Sequence, residues 1–220
     1  MKDTVMTMPA VALRGMTILP GMIAHFDISR DRSMRAVEAA MVSDQRVFLV
    51  TQRDMEQENP GTDGLYEIGI VADVRQVIKL QNDIVRILVE GTHRAQACGY
   101  TGREDYVEAQ IICYDEHDEG ELPQQAERAM VMSVHETFVK YSRIHGKIGQ
   151  DVLQQVGKTW NLSSLLDYVG NNLPVRYSEN QKLLEAVSLT RRYEVLLGML
   201  LQEIEVLAIK SDFQHKVQER

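Results

Sequence analysis

VALRGMTILPGMIAHFDISRDRSMRAVEAA, residues Val11 to Ala40, decides how the rest of the chain is read. Its middle, Ile18-Leu19-Pro20-Gly21-Met22-Ile23, is loop-like yet rich in large apolar side chains. Pro20 cannot donate to a strand ladder and Gly21 permits a sharp turn, so some of these side chains are expected to face water. Ile18, Leu19 and Ile23 have the alternative of facing a β core, whereas Met16, Pro20 and Met22 are the ones expected to stay outside. Methionine is adaptable and polarizable, which suits a surface that must accept many sequences. The end of the segment is a helix, because Met34, Val37 and Met41 fall at i, i+3 and i+7 while Arg35 and Glu38 lie off that stripe. Asp31 precedes the stripe, placed to cap the helix or to complement its dipole. Arg30, Asp31, Arg32 and Arg35 crowd the helix start, either as a solvated face or as an anchor for another chain.

Working outward, the surrounding sequence reads as strands. Val47 to Thr51 is a short β-branched and aromatic run, bounded by Asp44 before it and Asn59-Pro60-Gly61 after. Ile68 to Leu80 and Ile84 to Glu90 flank Gln81-Asn82-Asp83, a hairpin pattern in which Val85, Ile87 and Val89 share one face. Arg94 to Tyr100 and Val107 to Tyr114 form a further pair around Thr101-Gly102-Arg103. Strands at such short intervals point to a small sandwich or barrel.

The period changes after the acidic run Asp115 to Glu121, and the domain boundary is placed there: a β-rich subdomain over 1–118 and an all-α bundle over 119–220. Val131, Val134, Phe138 and Tyr141 mark a long helix ending near Gly146. Ser163-Ser164 opens another helix, and Ser178 with Gln181 three residues on has the capping-box pattern. Tyr193, Leu197, Leu200, Ile204 and Leu207 run along a last, long helix whose seam weakens after Ile209. Its charged, uncapped end reads as a helix cut from a longer chain.

The 220 residues, 44% hydrophobic, suit a soluble globular protein of one or two domains, and a net charge of −8 argues against a nucleic-acid footprint spread over the chain. No apolar stretch approaches the roughly 18 residues needed to span a bilayer, and Met1-Lys2-Asp3-Thr4 lacks the order of a signal peptide. Cys98 and Cys113 lack CxxC spacing; they are expected as buried free thiols in a reducing cytosol, and would pair only if their strands aligned.

Motifs that would carry chemistry are incomplete. His135-Glu136 opens an apparent HExxH, but Val139 stands where the second histidine belongs, and no metal site is expected. His117 among Asp115, Glu116 and Asp118 reads as a solvated linker. Gly146-Lys147-Ile148-Gly149 has the wrong spacing for a phosphate loop, and reads as a turn. No GxSxG occurs, so no catalytic residue and no cofactor site is assigned. Trp160, at a helix junction, is expected to pack.

Three blocks carry a family resemblance. The first is Leu13-Arg14-Gly15, followed by Leu19-Pro20-Gly21-Met22 and by Arg30 to Ala40; the second is Leu65-Tyr66 with Gly69; the third is Val89-Glu90-Gly91 with Arg94-Ala95. Together they resemble the amino-terminal domain of the Lon family of ATP-dependent proteases, supported more loosely by Leu173-Pro174 and by Gln181-Lys182 ahead of Leu184-Glu185. The resemblance implies an α+β fold, with a β-rich pseudobarrel or sandwich holding one helix, then an all-α bundle ending in a long helix. It also implies a non-catalytic module that binds unfolded or damaged proteins. The ATPase and protease domains, with their ATP, magnesium and serine–lysine dyad, would lie outside these residues in a cytoplasmic homohexamer. Met16, Leu19, Pro20, Met22, Ile23, Arg30, Asp31, Arg32 and Arg35 are the residues expected to meet substrate. A standalone receptor or ligand-binding adaptor with no protease attached is the other reading.

Overall fold

The structure is a computed structural model and describes residues 4–102, 105–114 and 122–218. In chain order its elements are β1 (Val5–Leu13), β2 (Ile23–Ile28), α1 (Asp31–Met41), β3 (Arg46–Thr51), a 3-10 turn (Thr62–Gly64), β4 (Ile68–Lys79), β5 (Val85–Gly102), β6 (Val107–Cys113), α2 (Gln124–His145), α3 (Gln150–Lys158), α4 (Leu162–Asn171), α5 (Tyr177–Glu185) and α6 (Leu189–Gln218). They fall into two compact units, Met1–Asp115 with Val175–Val187, and Glu116–Pro174 with Ser188–Arg220. The cut expected after residue 118 lies outside the described residues, as do His117 and the acidic run around it. The unit assignment departs from that expectation at Val175–Val187, which belongs with the strands.

In the first unit the sheet order is β2-β5-β4-β3-β1-β6, and β5 also pairs β6, so the sheet closes on itself as a pseudobarrel. β5 is one strand of 18 residues rather than the two expected, because it serves two partners: Val85–Glu90 pairs β2, and Ala95–Gly102 pairs β6. Between those stretches its register against β4 shifts at Val71/Ala72, a bulge that bends the strand. The β4–β5 hairpin turns where the sequence places it. Asn82 and Asp83 both adopt positive φ, residue types that tolerate this, and the Leu80 N–H donates to the Ile84 carbonyl at 2.8 Å. β1 and β3 run parallel, and the chain between them makes the crossover through β2 and α1.

Both faces of β3 are buried, which is why Val47-Phe48-Leu49-Val50 shows no alternation of polarity. Val47 and Leu49 join one core cluster with Ala36, Val37 and Ala40 of α1, while Phe48 and Val50 join another with Met8, Ala10 and Ile111. Met34 and Met41, on the predicted helical stripe, pack half-buried against the first cluster. Asp31 stands in the first turn of α1, where its charge favours the helix dipole, but it does not cap: Arg30 is the N-cap and makes no side-chain cap bond.

α5 joins the strands through polar side chains. Gln181, almost fully buried, donates from Nε2 to the Ile68 carbonyl at 3.0 Å and accepts at Oε1 from the Thr17 hydroxyl at 3.4 Å. Buried Arg94 of β5 donates to the carbonyls of Leu184 and Leu183 at 3.2 and 3.4 Å, where the helix C-terminus is negative. The capping box expected at Ser178 and Gln181 therefore does not form: Arg176 is the N-cap, and Gln181 is committed to the sheet.

In the second unit α2, α4 and α6 pack on one another, with α3 against α2 and α4. The predicted stripe Val131, Val134, Phe138 and Tyr141 is the buried face of α2, which ends at Gly146 in the left-handed conformation. α4 starts one residue before the expected Ser163-Ser164, because Asn161 is its N-cap and accepts from the Ser164 N–H at 2.9 Å. On α6 the buried face runs through Arg192, Leu196, Met199, Leu200 and Ile204, while Tyr193, Leu197 and Leu207 of the expected stripe are half-buried. Arg192 donates to the Ser163 hydroxyl at 3.1 Å and lies 3.7 Å from the Asp167 carboxylate.

Candidate functional site

Leu19-Pro20-Gly21-Met22 is a β-turn closed by the Met22 N–H donating to the Leu19 carbonyl at 3.1 Å. Proline at the second position and a glycine with φ of 76° at the third give it the type II form. Two further backbone bonds hold the turn on β5, from the Gly21 N–H to the Gly91 carbonyl and from the Gly91 N–H to the Met22 carbonyl, both 2.9 Å. Two sequence blocks far apart along the chain thus meet at one point.

This anchoring sorts the expected site residues. Leu19 is fully buried and Ile18 nearly so, because the backbone bonds press the loop onto the core; Leu19 is therefore removed from the contact surface. Met16 and Met22 are half-buried with one side on the same cluster, and Pro20 is half-buried. Ile23, at the start of β2, is 65% exposed. Asp31 and Arg32 are exposed on α1, and Arg35 is exposed and paired with Asp105 at 2.6 Å.

Met16 and Arg30 come together in a groove of about 190 Å³ along β1 and β2, strands that do not pair with each other. Val11, Leu13 and Ile28 are its buried apolar part, with buried Ser33 also lining it, Met16 and Phe26 its half-buried walls, and Arg14, Asp27, Ser29 and Arg30 its polar rim. Both Arg30 terminal nitrogens donate to Gln52 Oε1 at 3.2 Å. Gln52 is fully buried and fixed at its other end, Nε2 donating to the carbonyls of Asp54 at 2.7 Å and Gln57 at 2.9 Å. The Arg14 Nε donates to the Met55 carbonyl. Asp27 is engaged by Arg86 through bonds of 2.7 and 3.0 Å, which hold its carboxyl below the usual range.

The groove is therefore positive. Partial burial, then the charge of Arg14, lowers the Arg30 guanidinium from its ordinary value, against an opposing pull from Glu58. Arginine stays protonated through such shifts at neutral pH. Among the described residues no carboxylate bonds to either arginine. Arg14, Phe26 and Gln52 were not legible as site residues: Phe26 sits in what reads as loop, and nothing local marks a lone glutamine after a strand.

His135 Nε2 lies 3.0 Å from the Thr159 carbonyl, and its ring meets Trp160 edge-on at 5.1 Å. Trp160 is 56% exposed, less packed than expected. Cys98 and Cys113 are both free, but Cys98 is exposed rather than buried and Cys113 half-buried. Among the described residues no group of three His, Cys, Asp or Glu is placed to hold a metal ion, and no helix is long and apolar enough to cross a membrane.

A family model described as the ATP-dependent protease La (LON) substrate-binding domain matches residues 7–202. The chain is 36% identical over 220 residues to a Lon protease of Lachnoclostridium phytofermentans, covering 100% of this chain and 27% of that protein. It is 31% identical over 219 residues to a Lon protease of Heliobacterium modesticaldum, again covering 100% and 27%. It thus spans well under half the length of these curated relatives. The N-terminal domain of a Mycobacterium avium complex Lon protease has the same fold, with a TM-score of 0.73 at 18% identity, covering 89% of this chain and 98% of that one.

Proposed function

Because the chain belongs to the family of Lon substrate-binding domains, we propose that it holds unfolded or damaged proteins weakly and passes them to an ATPase and protease ring built by other domains. The parent in this reading is a cytoplasmic homohexamer, an ATP-dependent serine endopeptidase whose ATP, magnesium and catalytic residues lie outside these residues. The residues here bind and do no chemistry.

The observation that carries the reading is the groove, apolar inside and positive at the rim, with Met16 in its wall and exposed Ile23 on the neighbouring strand. Burying one such side chain contributes about 1.5–3 kcal/mol. Three or four contacts give roughly 5–10 kcal/mol, less several kcal/mol for association and for ordering an unfolded chain. One domain then holds substrate at about micromolar to millimolar. Several copies around a ring raise the avidity through effective concentration. The family model and the Lon protease relatives favour a domain of a protease over a standalone receptor.

The test is binding of this chain to one protein in folded and unfolded forms, followed by NMR chemical-shift perturbation. Preferential binding of the unfolded form, with shifts at Met16, Ile23 and Arg30, is the expected result. No binding at millimolar concentration with the fold intact would overturn it.

A further inference from the structure

We propose that the groove along β1 and β2 is a pocket for the C-terminal residue of a bound protein chain. Arg14 and Arg30 hold its main-chain carboxylate, and Met16 and Phe26 enclose its apolar side chain. The proposal rests on the substrate-holding reading and specifies which part of a substrate this site takes.

Three features point to that occupant. The first is charge: two guanidiniums stand at the rim, and among the described residues neither is bonded to a carboxylate. Arg30 is held by an uncharged amide, so its hydrogen bonds fix its position without neutralising it. The acidic groups nearby leave the balance positive, since Asp27 is paired with Arg86, and at Arg30 the pull of Glu58 is opposed by the charge of Arg14. The second is preorganisation. Gln52 is clamped between the Arg30 side chain and two loop carbonyls, so the guanidinium is set before a ligand arrives.

The third is size. A groove of about 190 Å³, with Val11, Leu13 and Ile28 as its apolar floor and Met16 and Phe26 as its walls, has room for one apolar side chain. An internal aspartate or glutamate would bring a charge but place its apolar neighbour elsewhere. A terminal residue carries carboxylate and apolar side chain on the same α-carbon, which matches a one-residue site with a positive rim and apolar walls. The apolar walls disfavour inorganic phosphate, which has no apolar part to bury there.

The experiment titrates the chain with a soluble heptapeptide ending in leucine with a free carboxylate, followed by calorimetry and by shifts at Met16, Phe26 and Arg30. The same peptide with an amidated end, an amidated peptide with an internal aspartate, and inorganic phosphate are the comparisons. The free acid is expected to bind about tenfold or more tightly than the amide, the order expected for hydrogen bonds to a charged group. Arg14→Gln, at an exposed position, is expected to erase most of that preference with the fold intact, and Arg30→Lys to weaken it. Equal binding of acid and amide overturns the proposal, as does equal binding of the internal aspartate or of phosphate. An unfolded protein with an amidated C-terminus separates the two readings. If it binds while acid and amide peptides are indistinguishable, only the pocket assignment falls; if neither protein nor peptide binds, substrate holding falls with it.

Discussion

A Cβ placed on Gly91 would stand 2.5 Å from the Leu19 carbonyl oxygen and 2.7 Å from Ile70 Cδ1. The first of these is backbone held by the turn bond from Met22 and cannot rotate away. Gly91→Ala is therefore expected to lift the Leu19–Met22 turn and cost about 1–3 kcal/mol, the usual penalty for overpacking. Urea unfolding measures the loss, and amide shifts at Gly21 and Met22 locate it. An unchanged midpoint would show that the turn has slack the geometry denies.

How much of this was legible depends on the kind of signal. Val131, Val134, Phe138 and Tyr141 announce a helix face because a 3.6-residue period is local, and Asn82-Asp83 announces a hairpin because the turn needs those residue types. β1 and β2 were hidden. Pro9 lies inside β1, where it stands at the point at which the strand leaves β6 and joins β3, a position that proline tolerates. β2 does alternate, with Ala24 and Ile28 buried and His25 and Asp27 exposed, but six residues after Pro-Gly read as loop. The membership of α5 in the strand unit rests on Gln181 and Arg94, whose partners lie about ninety or more residues away. No local pattern encodes such distances, and the groove was missed for the same reason: its walls come from strands that do not pair.

Gln52 joins the groove to the loop behind it, so its removal has two readouts. Gln52→Leu removes the side-chain bonds to the carbonyls of Asp54, which keeps its bond from the Gln57 N–H, and of Gln57, and leaves Arg30 without its acceptor. A loss of about 1–3 kcal/mol is expected for the hydrogen bonds removed together. Broadened or shifted Arg30 guanidinium signals by NMR would accompany it. A stable variant with an unmoved Arg30 would contradict the clamp.

The second unit has its own sensitive point. Arg192 and Asp167 are both buried, and Arg192→Leu removes the cation beside the carboxylate. About 3–5 kcal/mol is the expected cost of breaking such a pair, with part recovered when Asp167→Asn is added. Thermal unfolding of the single and double variants measures both, and additive losses would show that the two side chains act separately.

Alkaline stability follows from the tyrosines. Burial raises the Tyr100 phenol to about 12 from 10.0, and raises Tyr114 and Tyr141 in the same direction. The folded state keeps protons that the unfolded chain releases, so stability is full below about pH 10 and declines as pH rises through the folded values. Among the described residues the buried Tyr100 hydroxyl also has no partner. Tyr100→Phe is expected to raise stability slightly at about pH 8 and to flatten part of the decline between about pH 10 and 12. Urea midpoints at the two ends of that range test this, and a decline as steep as in the parent would remove Tyr100 from the account.

Leu19 and Ile23 give the sharpest test of which apolar residues meet substrate, because they sit four positions apart and the structure treats them oppositely. Leu19 is fully buried, so Leu19→Ala is expected to cost about 2–5 kcal/mol and to alter binding only through damage to the fold. Ile23 is 65% exposed, so Ile23→Ser is expected to move stability by no more than about 0.5 kcal/mol. It removes an apolar contact of up to about 1.5–3 kcal/mol, and the affinity for an unfolded protein should fall several-fold. Denaturation and binding, measured together on both variants, separate the effects. Weaker binding by Ile23→Ser at unchanged stability places substrate on the β2 edge. Unchanged binding there would confine the contact surface to Met16, Phe26 and the two arginines of the groove.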